Sequence, residues 1–419
     1  MRNGDLRAKV RHARGKFAAM ATAYGPGVFN DSLFRQAAML MAVRTNSNDV
    51  QGWVMFIFTV PYLLFASPAG WLADRFSKRH VVISAKVIEL VAMLCGAVGI
   101  CTGSWPLILA MVFVMGWQSC LFSPALNGSI PELYPSEYVT KANANLKIVV
   151  TAAILLGISA SSVMLSNKTP GWVGIEIGRW SVTLTAVAVA TLGVVASFFV
   201  PSRPAASPRA SFPWSGPVET LRELVRIYRD SLLRAVVVAD MFVWGVGSLL
   251  MQLVNVLAID QLDSNEAMAG YLIAVQVVGI AVGGLIGGRF AVGPRWYRIL
   301  PISLAAMGMA MVAVTFTPLL SVLQMLPVLF VLMGLVGIFG GMCVIPCEGF
   351  VQVRAAPERK GMVIASVNFA VFTGIALSGP IANLLMFKLL PTQAFGVIGA
   401  AALAIAWWLW WALSKESVE

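Results

Sequence analysis

The chain has 419 residues, 58% of them hydrophobic and only 12% charged, with a formal net charge of +11. Soluble domains carry roughly a quarter charged residues, so this chain has too few to clothe a water-facing surface, and a soluble enzyme or binding module is excluded. The positive charge invites a nucleic-acid reading, but the basic residues are parcelled into loops between apolar blocks, where they set topology and meet anionic lipid headgroups instead.

Blocks near the roughly 20 residues needed to cross hydrocarbon predict twelve spans, at 17–43, 51–73, 80–102, 105–127, 141–166, 177–200, 232–259, 266–288, 299–317, 321–347, 359–386 and 392–413. Arg2, Arg7, Lys9, Arg11, Arg14 and Lys16 precede the first, which reads as a retained span and not as a cleavable signal. Arg75, Lys78 and Arg79 follow the second, and Arg203, Arg209, Arg222, Arg226, Arg229 and Arg234 fall between the sixth and the seventh. Arg289, Arg295 and Arg298 follow the eighth, and Arg354, Arg359 and Lys360 the tenth. With alternating spans these loops share one side, which predicts cytoplasmic termini in a multi-pass inner-membrane protein.

Polar residues inside the spans are costly, about 2.5–3.5 kcal/mol for a central charge on insertion scales, and so point to function. Span 1 carries Asn30, Asp31 and Arg35; the latter two are i and i+4 on one face and can pair. Gly25-Pro26-Gly27 just before them is expected to loosen the helix toward a cavity. Span 3 holds Lys86 and Glu89 at i and i+3, a possible internal pair whose alternative is a purely structural role. Gln118, Asn127, Asn143, Asn145 and Lys147 add polarity around spans 4 and 5. Asp240, Gln252 and Asn255 lie in span 7, and Glu348 follows Pro346 near the end of span 10. Asp240 and Glu348 are near span ends, where reaching out to water competes with a functional role.

The remaining features are structural. Pro201 to Asp230 begins Pro/Ser/Arg-rich and ends in the amphipathic VETLRELVRIYRD, a linker with a helix on the membrane surface. It divides the chain into 1–200, a linker 201–231, and 232–419. Gly279, Gly283 and Gly287, spaced by four, suit close helix packing. Trp407, Trp408, Trp410 and Trp411 make an interfacial belt. Cys95, Cys101, Cys120, Cys343 and Cys347 read as packing residues. There is no phosphate-binding loop, nucleophile–base set or metal constellation, so no enzyme activity, cofactor or metal is expected.

After span 2 stands GWLADRFSKRH, with Gly70, Leu72, Asp74, Arg75 and Arg79 in a GxLaDrxxxr pattern, echoed after span 8 by GLIGGRF. Gly70 would let neighbouring helices approach, and Asp74 would pair with a basic residue or a helix end, a latch that opens and closes. This segment resembles the signature of the major facilitator superfamily. The resemblance implies an all-α membrane protein: twelve transmembrane helices in two six-helix pseudo-symmetric bundles, with substrate handled by alternating access.

VFNDSLFRQAAML, LADRFSKRHVVISAKVIELVAML, SPALNGSIPEL and TKANANLKIVVTAAILLG are similar to the bacterial lysophospholipid transporter group, including the halves fused to acyltransferases; WGVG and VIPCEGFVQ are weaker matches. That implies inward flipping of a lysophosphatidylethanolamine-like lipid by a monomer, with a proton or sodium ion as a possible coupling ion and a cytoplasmic acyltransferase acting on the product. It also places Asp31 in the group's transport position. The chain departs from the group at Leu126 and Met251, where basic residues are usual. The alternative is a proton-coupled exporter of drugs or other amphipathic small molecules, with Asp31 or Glu89 titrating.

Overall fold

The computed structural model of the protein describes residues 3–133, 136–202, 204–205, 207–209, 211–290, 296–354 and 360–414. Arg2, Arg203, Arg295 and Arg359, and the side chains of Asn127, Asn143, Lys360 and the basic residues from Arg7 to Lys16, lie outside what is described.

With no water in hydrocarbon to satisfy backbone groups, a long apolar segment closes its hydrogen bonds internally, and every long element among the described residues is a helix. In chain order they are α1 (Asn3–Arg44), α2 (Asn48–Arg75), α3 (Lys78–Thr102), α4 (Trp105–Leu133), α5 (Ser136–Leu165) and α6 (Ile177–Ser197). Then come α7 (Gly216–Arg229), α8 (Ser231–Val256), α9 (Glu266–Phe290), α10 (Ile299–Val314), α11 (Val322–Arg354), α12 (Lys360–Met386) and α13 (Pro391–Ser414). Among the described residues, eleven helices are long and apolar enough to span a membrane. The first helix, where the first span was predicted, is long enough but falls outside that set, its apolarity diluted by Asn30, Asp31, Arg35 and Gln36.

Local chemistry sets the ends. Gly103, at φ 71°, closes α3 in the left-handed region, a conformation glycine adopts without steric cost. Asp230 caps α8 by accepting from the Leu233 amide at 3.0 Å, and Arg354 reaches the same carboxylate at 3.3 Å. Asn265 caps α9, its Oδ1 taking the Met268 amide at 3.1 Å.

Contacts divide the chain into two compact units, 1–38 with 57–216, and 39–56 with 217–419. In the first, α3 packs on α4 and α6, Gly116 of α4 abuts the Phe58 carbonyl of α2, and Gly157 of α5 abuts Phe29 and Leu33 of α1. In the second, α10 packs on α11 and α13, α9 on α11, and α8 on α12. The pairings of span n recur at span n+6, the internal repeat expressed as packing.

The glycine stripe of α9 meets a matching one. A Cβ at Gly279 would lie 3.0 Å from the Ile338 amide, one at Gly283 would run into the Ile338 carbonyl, and one at Gly287 would come within 2.9 Å of Met342. On α11, Gly337 and Gly341 are blocked in return by the Gln276 and Ile280 carbonyls. Overpacking such a contact costs about 1–3 kcal/mol or more. Gly283→Val is therefore expected to lower the melting temperature of the purified protein measurably, whereas Gly288→Ala, which meets open space, should not.

The hairpin end 39–56 is bound into the second unit by polar contacts. Arg44 pairs with Glu266 at 3.0 Å, Asn48 donates to Asp260 at 3.2 Å, Asn255 to Gln51 at 3.0 Å, and Asn383 to the Asp49 carbonyl at 3.0 Å. The amphipathic α7 forms as expected. Its Glu223 and Ile227 face inward while Val218, Leu221, Val225 and Tyr228 are exposed on one side, as suits a helix resting on a lipid surface.

Candidate functional site

The first unit concentrates polar residues in one part of its core. Asn30 and Asp31 of α1 and Lys86 and Glu89 of α3 are all buried, and Arg35 is half-buried. Lys86 and Glu89 form the expected pair, with Nζ and Oε2 2.7 Å apart. Asn30 completes it by donating from Nδ2 to Glu89 Oε1 at 3.1 Å and to the Ala186 carbonyl of α6 at 3.1 Å. One amide thereby ties three helices together. The ammonium of Lys86 also sits 5.1 Å from the centroid of the Phe122 ring, which stacks on Tyr24 at 5.2 Å.

The Gly25-Pro26-Gly27 segment has a different purpose from the one expected. The helix runs unbroken through it, and Gly27 acts as a notch. A Cβ there would run into the Lys86 ammonium and stand 3.2 Å from Glu89 Oε2. Removing one methyl group makes room for a buried ion pair, and no helix opening is involved.

Asp31 and Arg35 also depart from expectation. Among the described residues no ion pair joins them. Both oxygens of Asp31 accept from α4 instead: Oδ1 from Gln118 Nε2 at 3.4 Å and Oδ2 from the Ser119 hydroxyl. Gln118 Nε2 reaches the Ser119 oxygen as well, at 2.7 Å. Arg35 turns the other way, its guanidinium 4.5 Å from the centroid of the Phe58 ring of α2. Helical spacing puts the two charges within reach of each other; competition from a neighbouring helix decides which contacts form. Ser119 carries no distinguishing sequence signal beyond its place beside Gln118.

The other candidates lie in the second unit. Gln252 is buried and bridges α8 to α12, donating to the Ser248 carbonyl at 3.2 Å and to Ser378 Oγ at 3.3 Å. Asp240 is buried at 3% exposure, so it does not reach out to water. Glu348 of α11 is partly exposed. The five cysteines are free thiols.

The segment from Gly70 to Arg79 belongs to the first unit and behaves only in part as expected. Nothing lies within 4 Å of a Cβ built on Gly70, so it brings no helices together here. Asp74 is exposed, and it is its backbone carbonyl that is engaged, accepting from Ser207 N at 2.8 Å. Arg75 lies over Trp71 at 5.1 Å. Arg79 Nη2 donates to the Phe198 carbonyl at 2.9 Å, satisfying the end of α6. Gly70→Ala is therefore expected to leave the melting temperature unchanged or to raise it, since alanine in a helix interior is favoured by about 0.5–1 kcal/mol. A clear drop would mean that Gly70 is packed.

Similarity to known proteins follows the same lines. The family model described as Major Facilitator Superfamily matches residues 19–320. A lysophospholipid transporter, LplT, of Citrobacter koseri is 27% identical over 414 residues, 95% of this chain and 96% of that one. The protein of the same name from Enterobacter sp. (strain 638) is 29% identical over 401 residues, 94% and 95%. Among solved structures, a POT family transporter in complex with 5-aminolevulinic acid superposes with TM-score 0.70 at 14% identity, covering 95% of this chain and 96% of that one. A D-xylose–proton symporter gives 0.68 at 15%, covering 94% and 97%. At such identities the solved structures speak to the fold alone.

Proposed function

This chain belongs to the major facilitator superfamily, and we propose that it carries lysophospholipid, of the lysophosphatidylethanolamine kind, from the outer to the inner leaflet of a bacterial inner membrane by alternating access. The observation that carries this reading is likeness along nearly the whole chain to relatives named as lysophospholipid transporters. The polar cluster of the first unit supports it. A zwitterionic headgroup cannot enter hydrocarbon without compensation, and Asp31 with Arg35 offers one charge of each sign a helical turn apart. The acyl chain needs no such help and stays in an apolar environment. The distribution of the basic loops supports cytoplasmic termini, on the side where an acyltransferase would consume the lipid delivered. A proton or sodium gradient is the available drive.

Reconstitution tests the reading. Proteoliposomes presented with labelled lysophosphatidylethanolamine, or with an amphipathic cation of similar size, are followed with and without proton and sodium gradients. Lysolipid movement that requires the protein is the expected result. Gradient-dependent movement of the cation with none of the lysolipid would overturn it in favour of an exporter.

A further inference from the structure

Of the four charges buried or half-buried in the first unit's polar cluster, Arg35 is the one the protein answers least: Asp31, one turn away, acts on it through space without reaching ion-pair distance. Lys86 and Glu89 neutralise each other, and Asp31 is held by two donors from α4. Arg35 has no ion pair among the described residues, and its Nε is buried without a hydrogen-bond partner. What it has is a platform, the face of Phe58 4.5 Å beneath its guanidinium. Phe58 is itself pinned, because Gly116 of α4 brings its backbone against the Phe58 carbonyl. A guanidinium stacked on an aromatic face loses little conformational freedom when it binds, and its N–H groups fork toward a carboxylate or phosphate. A charge kept inside a membrane protein without an anion is costly, so a ligand anion is the natural complement.

On the lysophospholipid reading, on which this inference rests, that anion is a phosphate. We infer that Arg35, stacked on Phe58, is the phosphate-recognition residue of the headgroup site, and that Asp31 one turn away takes the ammonium end. About 6 Å of helix rise separates residues four apart, so the two charges address opposite ends of one small zwitterion. Position 126 offers no cation for this purpose: Leu126 is buried in an apolar cluster with Phe17, Met20, Ala23 and Phe122.

The test measures binding to the full-length protein in phosphatidylcholine nanodiscs, with three single-chain lipids of equal acyl length. Lysophosphatidylethanolamine carries both charges, lysophosphatidic acid only the phosphate, and monoacylglycerol neither. Arg35→Gln is expected to weaken the two phosphate-bearing lipids by about tenfold or more while leaving monoacylglycerol unchanged. Asp31→Asn is expected to weaken lysophosphatidylethanolamine and spare lysophosphatidic acid. Arg35→Lys, which keeps the charge but not the fork, should fold even where Arg35→Gln does not, and should show a smaller loss confined to the same two lipids. Wild-type discrimination between the phosphate-bearing lipids and monoacylglycerol that survives intact in both Arg35 variants overturns the inference and leaves the transport reading standing. Equal binding of all three lipids by the wild type, together with no lysolipid transport, defeats the reading itself.

Discussion

Asp31→Asn is expected to reduce lysolipid transport in proteoliposomes to the protein-free background while the amount of folded protein and its melting temperature stay close to wild type. The two halves of that expectation have different physical sources. Asparagine has the size and shape of aspartate, so the space between α1 and α4 remains filled, and its carbonyl can still accept from Gln118 or Ser119. Two charge-assisted hydrogen bonds become neutral ones, the Ser119 hydroxyl being able to accept from the new amide where it donated before, a change worth about 1 kcal/mol each at this level of contact. Removing a charge from the interior of a membrane protein recovers part of that loss. Stability is therefore nearly indifferent. Function is not, because Asp31 supplies the only negative charge of the described cluster that is not already spent on a lysine: Glu89 is bound to Lys86. Without Asp31 nothing in this cluster meets a headgroup ammonium. A variant that transports at the wild-type rate rejects the assignment. A variant that fails to fold shows that Asp31 holds α1 to α4, and Ser119→Ala with Gln118→Leu, which strip its donors while keeping the charge, then separate the two roles.

The legibility of this molecule in its sequence was uneven, and the boundary is physical. Span positions follow from runs of apolar residues, a property of each segment alone, and they came out close to the helices. So did the Lys86–Glu89 pair, whose two members share one helix and have no water to compete for them. The glycine stripe of α9 was legible as a packing face, but its partner stripe on α11, at Gly337 and Gly341, was not. Two stretches distant in sequence carry no mark of being neighbours. Asp31 shows the same limit more sharply. Its local options were visible at i+4, while the donors that bind it stand 87 and 88 residues away on α4. The Gly25-Pro26-Gly27 segment suggested a weakened helix because glycine and proline both disfavour helix interiors; the reason for Gly27 is the ammonium group opposite, which belongs to α3. The hairpin end 39–56 is adjacent in sequence to the first unit and is held in the second by Gln51, Asp49 and Gly52 contacts that only a folded chain brings together.

The buried ion pair yields the largest expected change in stability, and it separates a structural role from a transport role. Glu89 is wholly buried and accepts from both Lys86 and Asn30. Lys86→Met would leave the carboxylate with one neutral donor in a low-dielectric interior, and Glu89→Met would strand an ammonium over the Phe122 ring. Stranding one member of a buried pair costs about 3–5 kcal/mol, whereas replacing both by apolar residues of similar volume is close to neutral. Each single variant should therefore lose folded protein or melt far below wild type, and the double variant Lys86→Met with Glu89→Met should recover most of the loss. The coupling between the two sites, read from that double-mutant cycle, is expected to be large because they are in direct contact. Independent, additive effects would mean that the 2.7 Å contact is not the source of the cost. Transport by the recovered double variant then decides what the pair is for. If it carries lysolipid at the wild-type rate, Lys86 and Glu89 are a fastening between α1, α3 and α6, with Asn30 and the notch at Gly27 as fittings. If it is folded and inactive, the pair itself takes part in the transport cycle, and the proton-coupled role once open to Glu89 becomes the first to examine by repeating the assay across a pH gradient.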